Sequence, residues 1–281
     1  MEYYNKEYIS KLTGTKTIKI TPELAEKWLL LNNSNRNPSR RHVSRLADTM
    51  QRGEWMLNGQ CLIFGSNGEL LDGQHRLLAI VKSGMTIEMD VRFGVNPCGM
   101  PTIDEGKKRI AGDVFKMNGI LNYNTAAAAS KFVYRYDNFR FGGSGAADQN
   151  MTNAAALKWF YSNPSMADAT KKGTSFYAAS CKMVLSKSKF AAYYFIMSRI
   201  NQQLAEHFCS GLASGANLSI GSPIYKLRSE LLKAAMDKQR RLTATAEYDL
   251  ISWAWNNFRL GKSPKAIRIP KNDDGTSKKL E

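Results

Sequence analysis

The chain has 281 residues, 43% of them hydrophobic, with 40 lysine and arginine residues against 24 aspartate and glutamate residues. This composition is typical of a folded protein rather than a disordered one. The longest apolar run, residues 190–197, is shorter than the roughly 18 residues of a transmembrane helix. The first residues contain no secretory signal, so we expect a cytoplasmic protein with no membrane partner.

The formal net charge is +16, and most of the basic excess lies after residue 110. Such an excess predicts a polyanionic partner, with DNA favoured, although a merely soluble basic surface is the alternative. Four dispersed cysteines and three histidines give no disulfide framework and no zinc site, so we predict no metal-binding cluster. The basic residues expected to contact nucleic acid are Lys171, Lys172, Lys187, Lys189, Arg240, Arg241, Lys262 and Lys265.

Two helices are predicted early in the chain, each by a capping residue. Residues 17–20 form a short β-rich stretch, and Thr21 followed by Pro22 then starts a helix. Ser39 caps a second helix that runs to Arg52, with apolar residues at helical spacing. The other face of this helix is basic and suits solvent and phosphate equally; it carries Arg40, Arg41, Arg45 and Arg52.

A β-hairpin and a helix follow. Residues 61–64 and 70–71 flank a Gly-Ser-Asn-Gly turn, and residues 74–83 have helical spacing that ends at Gly84. A further strand is expected over residues 86–93. Residues 1–110 therefore read as a small α+β domain.

The rest of the chain is predicted to be helical. Residues 111–269 contain seven Ala-rich helical stretches, one of them continuous from Lys189 to Phe208. Residues 142–145, Gly-Gly-Ser-Gly, read as a hinge or mobile loop. Residues 270–281 are polar and charged, and we expect them to fray as a flexible tail.

The segment from residue 68 to residue 84 carries the chemistry. A strand, a glycine turn and a helix start lie within a dozen residues, an arrangement that favours anion binding. Gly73 has no side chain to block a close approach, and the amides of Gln74, His75 and Arg76 begin the helix at the positive end of its dipole. Arg76 adds a planar guanidinium suited to phosphate.

The motif at residues 72–77, Asp-Gly-Gln-His-Arg-Leu, together with the preceding hairpin and helix, resembles the DGQHR form of the ParB/sulfiredoxin-like superfamily. The resemblance covers about residues 15–110 and is closest to phage and prophage members. Those members carry an Ile-Asp-x-Gly-x-x-Arg element after the motif, matched here by Ile103, Asp104, Gly106 and Arg109.

This resemblance implies a compact α+β domain that binds phosphates of a nucleotide or nucleic acid. It also implies a bacterial or phage-infected cell. The implied cofactor is a nucleoside triphosphate, CTP or ATP, with Mg²⁺. Gln74 stands where sulfiredoxins need a nucleophilic cysteine, and no helix-turn-helix follows the motif as it does in partition proteins. The candidate phosphate ligands are Gly73, Gln74, His75, Arg76, Arg41, Asp104 and Arg109.

Three residues are candidates for catalysis, each with a structural alternative. Asp72 is either a candidate general base or a helix cap. His75 either donates a hydrogen bond to a phosphate oxygen or is a packing side chain. Glu54 follows the second helix and is expected near the motif. Asp104 and Arg109 form either a pair that closes over ligand or a salt bridge between domains.

Three functions stay open at this point. The first is a DNA-associated, phage-type ParB-like protein that binds phosphate at the motif. The second is an enzyme, namely a nucleotide-dependent phosphotransferase, a nuclease or a DNA base-modifying enzyme, which would use Asp72 or Glu54 to activate a hydroxyl. The third is a host-directed adaptor that binds an acidic protein. The sequence does not fix the oligomeric state.

Overall fold

The computed structural model describes residues 5–33, 35, 37–102, 109–138 and 151–281. The chain divides into two compact units, Met1–Lys108 and Arg109–Glu281, and this division lies close to the boundary expected after residue 110. The fold is mixed α+β, with strands only in the first unit among the described residues. The expected hinge at residues 142–145 lies outside the described residues.

The first unit contains four α-helices, one 3₁₀-helix (Pro97–Thr102) and four strands in its described part. Thr21 and Ser39 cap α2 and α3 as expected, because their hydroxyls accept hydrogen bonds from Leu24 N and His42 N. A short first helix was not predicted. The elements are α1 (Lys6–Ser10), β1 (Gly14–Ile20), α2 (Pro22–Leu29), α3 (Arg40–Gln51), β2 (Leu62–Gly65), β3 (Leu70–Asp72), α4 (Gln74–Ser83) and β4 (Ile87–Val95).

The strands form one sheet in the order β1-β4-β2-β3. β1 is antiparallel to β4, β4 is parallel to β2, and β2 and β3 form the expected antiparallel hairpin. Alternate residues of β4 are buried, which is the pattern of a sheet with one face on the core. α2, α3 and α4 supply the other side of that core, where Trp28 and Phe64 meet edge to face with ring centroids 5.1 Å apart.

The second unit contains helices and no strand in its described part, and its last residues, 260–281, are not helical. Its central helix, α9, has eight consecutive buried residues, from Phe190 to Met197, as expected of a helix surrounded by others. The helices are α5 (Ala111–Met117), α6 (Tyr123–Asn138), α7 (Asn153–Tyr161), α8 (Ser165–Ala179), α9 (Lys187–Ser198), α10 (Gln202–Ser214), α11 (Pro223–Met236) and α12 (Ala244–Arg259). None of the helices in the described part of the chain has the length and apolarity needed to span a membrane.

The two largest departures from the predicted helices lie in the second unit. The continuous helix expected from Lys189 to Phe208 is broken, because the side chain of Asn201 accepts a hydrogen bond from Leu204 N at 2.9 Å and starts α10. The helix expected from Phe176 to Leu185 instead ends at Ala179, and it begins eleven residues earlier than expected, at Ser165.

The expectation that residues 270–281 fray is wrong. We call this segment the strap, because it packs along α12 and α6. Leu280 is 4% exposed and belongs to the core of the second unit. The main chain of the strap accepts hydrogen bonds from Tyr136, Tyr248 and Ser252. Polar composition did not indicate this packing, because the strap is held chiefly through its backbone.

Candidate functional site

The motif begins with a left-handed glycine between β3 and α4. Gly73 has φ 110°, and a Cβ built on it would lie 2.2 Å from Cδ2 of Leu62. Only glycine fits such a backbone beside a buried side chain. The carbonyl of Gly73 accepts the backbone N–H groups of Arg76 and Leu77 at 2.9 and 3.1 Å, so the first turn of α4 is well formed.

Arg76 is bound by the protein itself. Its Nη1 donates to the carbonyl of Gln60, and its Nη2 donates to the carbonyl of Cys61 and to Oδ2 of Asp72, each at 2.9 Å. The side chain is 11% exposed. The guanidinium therefore connects the chain entering β2 to the residue that ends β3. A direct bond from Arg76 to phosphate stays a prediction.

Both carboxylate oxygens of Asp72 accept hydrogen bonds. Oδ1 accepts from the backbone N–H of Gly73 at 2.6 Å, and Oδ2 accepts from Arg76. Mg²⁺ takes several oxygen ligands, whereas Asp72 supplies a single carboxylate whose two oxygens each already accept a hydrogen bond. Within the described ranges, no three His, Cys, Asp or Glu side chains form a metal-binding group. We derive no catalytic step through Mg²⁺.

Gln74 is buried and faces the loop between α2 and α3. Its Oε1 accepts from Nδ2 of Asn32 at 3.0 Å. Nδ2 of Asn35 in turn donates to Oδ1 of Asn32 and to the carbonyl of Leu70, at 2.5 and 2.8 Å. Amide side chains thus pin this loop to the motif, a role that sequence reasoning missed although the run of asparagines at 32–37 signalled it.

His75 joins the start of α4 to the start of α3. The backbone N–H of Ser39, the cap of α3, donates to Nε2 of His75 at 3.0 Å. The His42 and His75 rings meet edge to face with centroids 5.0 Å apart, and Nη2 of Arg45 lies 2.9 Å from Nδ1 of His42. Because arginine only donates, Nδ1 of His42 is the acceptor. The two helices therefore begin side by side.

The surroundings of this junction are basic. Arg40, Arg41 and Arg45 are exposed on α3. Lys82 of α4 donates to the hydroxyl of Ser44 on α3 at 2.5 Å, which brings a further cation to the same pair of helices. Among the described residues, neither Arg40 nor Arg45 forms a salt bridge with a carboxylate. Arg45 had entered the sequence analysis only as part of a basic face.

The remaining candidates of the first unit are less informative. Glu54 lies on the exposed segment after α3, where Oε2 pairs with Nη2 of Arg52 at 3.1 Å. Asp104 lies outside the described residues. Arg109 belongs to the second unit, is exposed, and its carbonyl accepts from Nδ2 of Asn153 at 3.0 Å. Catalysis by Glu54 and pairing of Asp104 with Arg109 both stay predictions.

Comparison with models of known families, with curated proteins and with solved structures gave no match.

Most of the basic residues proposed for nucleic acid have partners in the second unit. Lys171, Lys172, Lys189 and Arg240 form salt bridges with carboxylates. The pKa of Lys172 is raised by its hydrogen bond to Glu206. Nζ of Lys187 lies 5.6 Å from the centroid of the Tyr177 ring. Three others are exposed and unpaired with acids in the described structure: Arg241, Lys262 and Lys265.

Proposed function

We propose that this protein binds phosphate groups of DNA where the N-termini of α3 and α4 meet. The observation that carries the proposal is the 3.0 Å hydrogen bond between Ser39 N and Nε2 of His75, which holds the two helix starts together. The positive ends of two helix dipoles then act on the same region.

The charged side chains around the junction support the same function. Arg40 and Arg45 are exposed and form no salt bridges among the described residues, so a bound phosphate would not have to displace a carboxylate from either. Arg76 takes a positioning role here, because its three bonds fix the turn from which α4 begins. The ligands for phosphate are thus supplied mainly by α3.

The resemblance of the motif to phage-type ParB-like proteins is compatible with this proposal. A nucleoside triphosphate offers the same phosphate chemistry as DNA, so the two ligands have to be separated by experiment. The exposed cations of the second unit, Arg241, Lys262 and Lys265, are proposed as additional backbone contacts.

Binding of a fluorescent DNA duplex, followed by anisotropy over a range of salt concentrations, tests the proposal. The double variant Arg40→Ala/Arg45→Ala should weaken binding at least tenfold at low salt, and its slope of log K against log salt should be shallower by about 1.8, or 0.9 per lost contact. Lys19→Ala, which removes an exposed lysine from β1, is the matched control and should change binding much less.

Competition with CTP, ATP and inorganic triphosphate separates the ligands. DNA binding that persists at millimolar nucleotide supports a site for the polymer, whereas displacement by only one of the two nucleotides supports a nucleotide site. If the double variant binds DNA and nucleotides like the control, the proposed junction is not the phosphate site.

A further inference from the structure

The strap lies in a groove whose side chains form hydrogen bonds with the strap's main chain. The hydroxyls of Tyr248 and Ser252 donate to the carbonyl of Lys278 at 3.1 and 2.9 Å. Asn256 makes a pair of bonds, because Nδ2 donates to the carbonyl of Lys279 at 3.0 Å and Oδ1 accepts from the N–H of Glu281 at 2.9 Å. These three groove residues are spaced four apart and form a ladder along one face of α12.

Side-chain contacts add a preference for a particular sequence. Nζ of Lys271 donates to Oδ2 of the buried Asp249 at 2.5 Å. Nζ of Lys279 lies 5.2 Å from the ring centroid of Tyr136, within the range of a cation–π contact. Leu280 fills an apolar site in the core. The groove therefore suits a segment that turns back on itself between Lys271 and Ser277 and that carries two lysines and one leucine.

The strap does not fill this groove completely. A cavity of about 40 Å³, lined by Asp249, Ser252, Trp253 and Lys278 among others, lies between α12 and the strap. Oδ1 of Asp249 is buried and has no hydrogen-bond partner within the described residues. The strap therefore packs closely at Leu280 and less closely over the part of α12 that lines this cavity.

Residues 260–269, which connect α12 to the strap, contain no helix or strand and are mostly exposed. At roughly 3.3 Å per extended residue they can span on the order of 30 Å. Every contact of the strap is noncovalent, so each can form equally well with a groove of another molecule. Every copy of the chain carries both the groove and the strap that fits it.

We propose that two copies of this chain exchange their straps, each strap lying in the α6/α12 groove of the other copy. The exchange keeps all the contacts described above and is closed by a twofold axis. The strap of the same chain competes for its own groove at an effective concentration on the order of millimolar. Exchanged dimers should therefore become abundant as the protein approaches that concentration. This inference does not depend on phosphate binding by the first unit.

Photo-crosslinking between isotopically distinct copies tests the exchange. One full-length copy is ¹⁵N-labelled and carries Lys279→benzoylphenylalanine, and the other is unlabelled and unmodified. Heavy–heavy crosslinks to the Tyr136 peptide report the strap in its own groove or in that of another labelled copy, whereas heavy–light crosslinks report only exchange between copies. The heavy–light share should rise from near zero at micromolar protein to about a tenth or more at millimolar protein.

Two controls make the outcome specific to the groove. Excess synthetic peptide of residues 270–281 should suppress the heavy–light crosslinks, and the same photo-reactive residue at the exposed Arg259 should give only background. The proposal is overturned if crosslinks stay heavy–heavy after incubation at millimolar concentration. It is also overturned if no crosslink to the Tyr136 peptide forms, because the strap would then not occupy the groove.

Discussion

Replacing Arg76 with alanine should destabilise the first unit much more than an exposed arginine does. The guanidinium makes three hydrogen bonds of 2.9 Å, to two backbone carbonyls and one carboxylate. A bond that involves a charged group contributes about 1.5–3 kcal/mol, and its loss leaves an acceptor without a donor. With an 11% exposed side chain allowing little rescue by water, we expect a loss of about 3–5 kcal/mol.

Hydrogen exchange read by mass spectrometry measures this effect within the first unit. Peptides covering β2, β3 and α4 should lose protection in Arg76→Ala, while peptides of the second unit should change little. Arg45→Ala is the matched control, since that side chain is exposed and, among the described residues, bonds to His42 alone. It should change stability by about 0.5 kcal/mol or less.

The comparison also separates a structural arginine from a ligand-binding one. If Arg76→Ala keeps normal protection and loses only anion binding, the three hydrogen bonds of Arg76 do not stabilise the first unit, and the residue binds ligand instead. Asp72→Asn, which keeps the shape but removes the charge, should give a smaller loss of about 1–2 kcal/mol.

Three further predictions concern the turn and the strap. Gly73→Ala should cost about 1–3 kcal/mol more than Gly84→Ala, because both glycines are left-handed but only the first would meet another atom, Cδ2 of Leu62; equal urea midpoints would contradict this. Leu280→Ala should cost about 2–5 kcal/mol in urea unfolding of the second unit, and a change below 0.5 kcal/mol would show that the strap is not part of its core. Burial raises the pKa of Tyr136 to about 12, so the stability it contributes is present below pH 10 and is lost as pH rises through 12, because the unfolded chain ionises first. In unfolding curves measured at increasing pH, the free energy of unfolding of Tyr136→Phe should therefore fall less between pH 10 and pH 12 than that of the unsubstituted protein. The same fall in both proteins would refute this prediction.

Signals close together in sequence predicted much of the fold. The caps at Thr21 and Ser39, the glycine that ends α4 and the hairpin before the motif each depend on residues within a few positions of one another. Local chemistry dominates at such points, so one sequence is enough.

Predictions that depended on distant residues were less successful. The two backbone carbonyls that Arg76 binds lie 15 and 16 residues away, in a segment with no motif of its own. The strap is held by side chains of α6 and α12, and its own composition resembles a solvated tail. The break before Asn201 was a local signal, but the long apolar pattern on both sides of it obscured the cap.

The bond from Ser39 to His75 makes the loop before α3 sensitive to the protons carried by one imidazole. A neutral ring can accept the Ser39 N–H through Nε2. In a doubly protonated ring both nitrogens are donors, so the N–H at Nε2 would point at the N–H of Ser39 and the hydrogen bond would be lost. The contact between the starts of α3 and α4 therefore requires an imidazole whose Nε2 carries no proton. The side-by-side arrangement of two helix starts thus depends on the state of a single nitrogen atom.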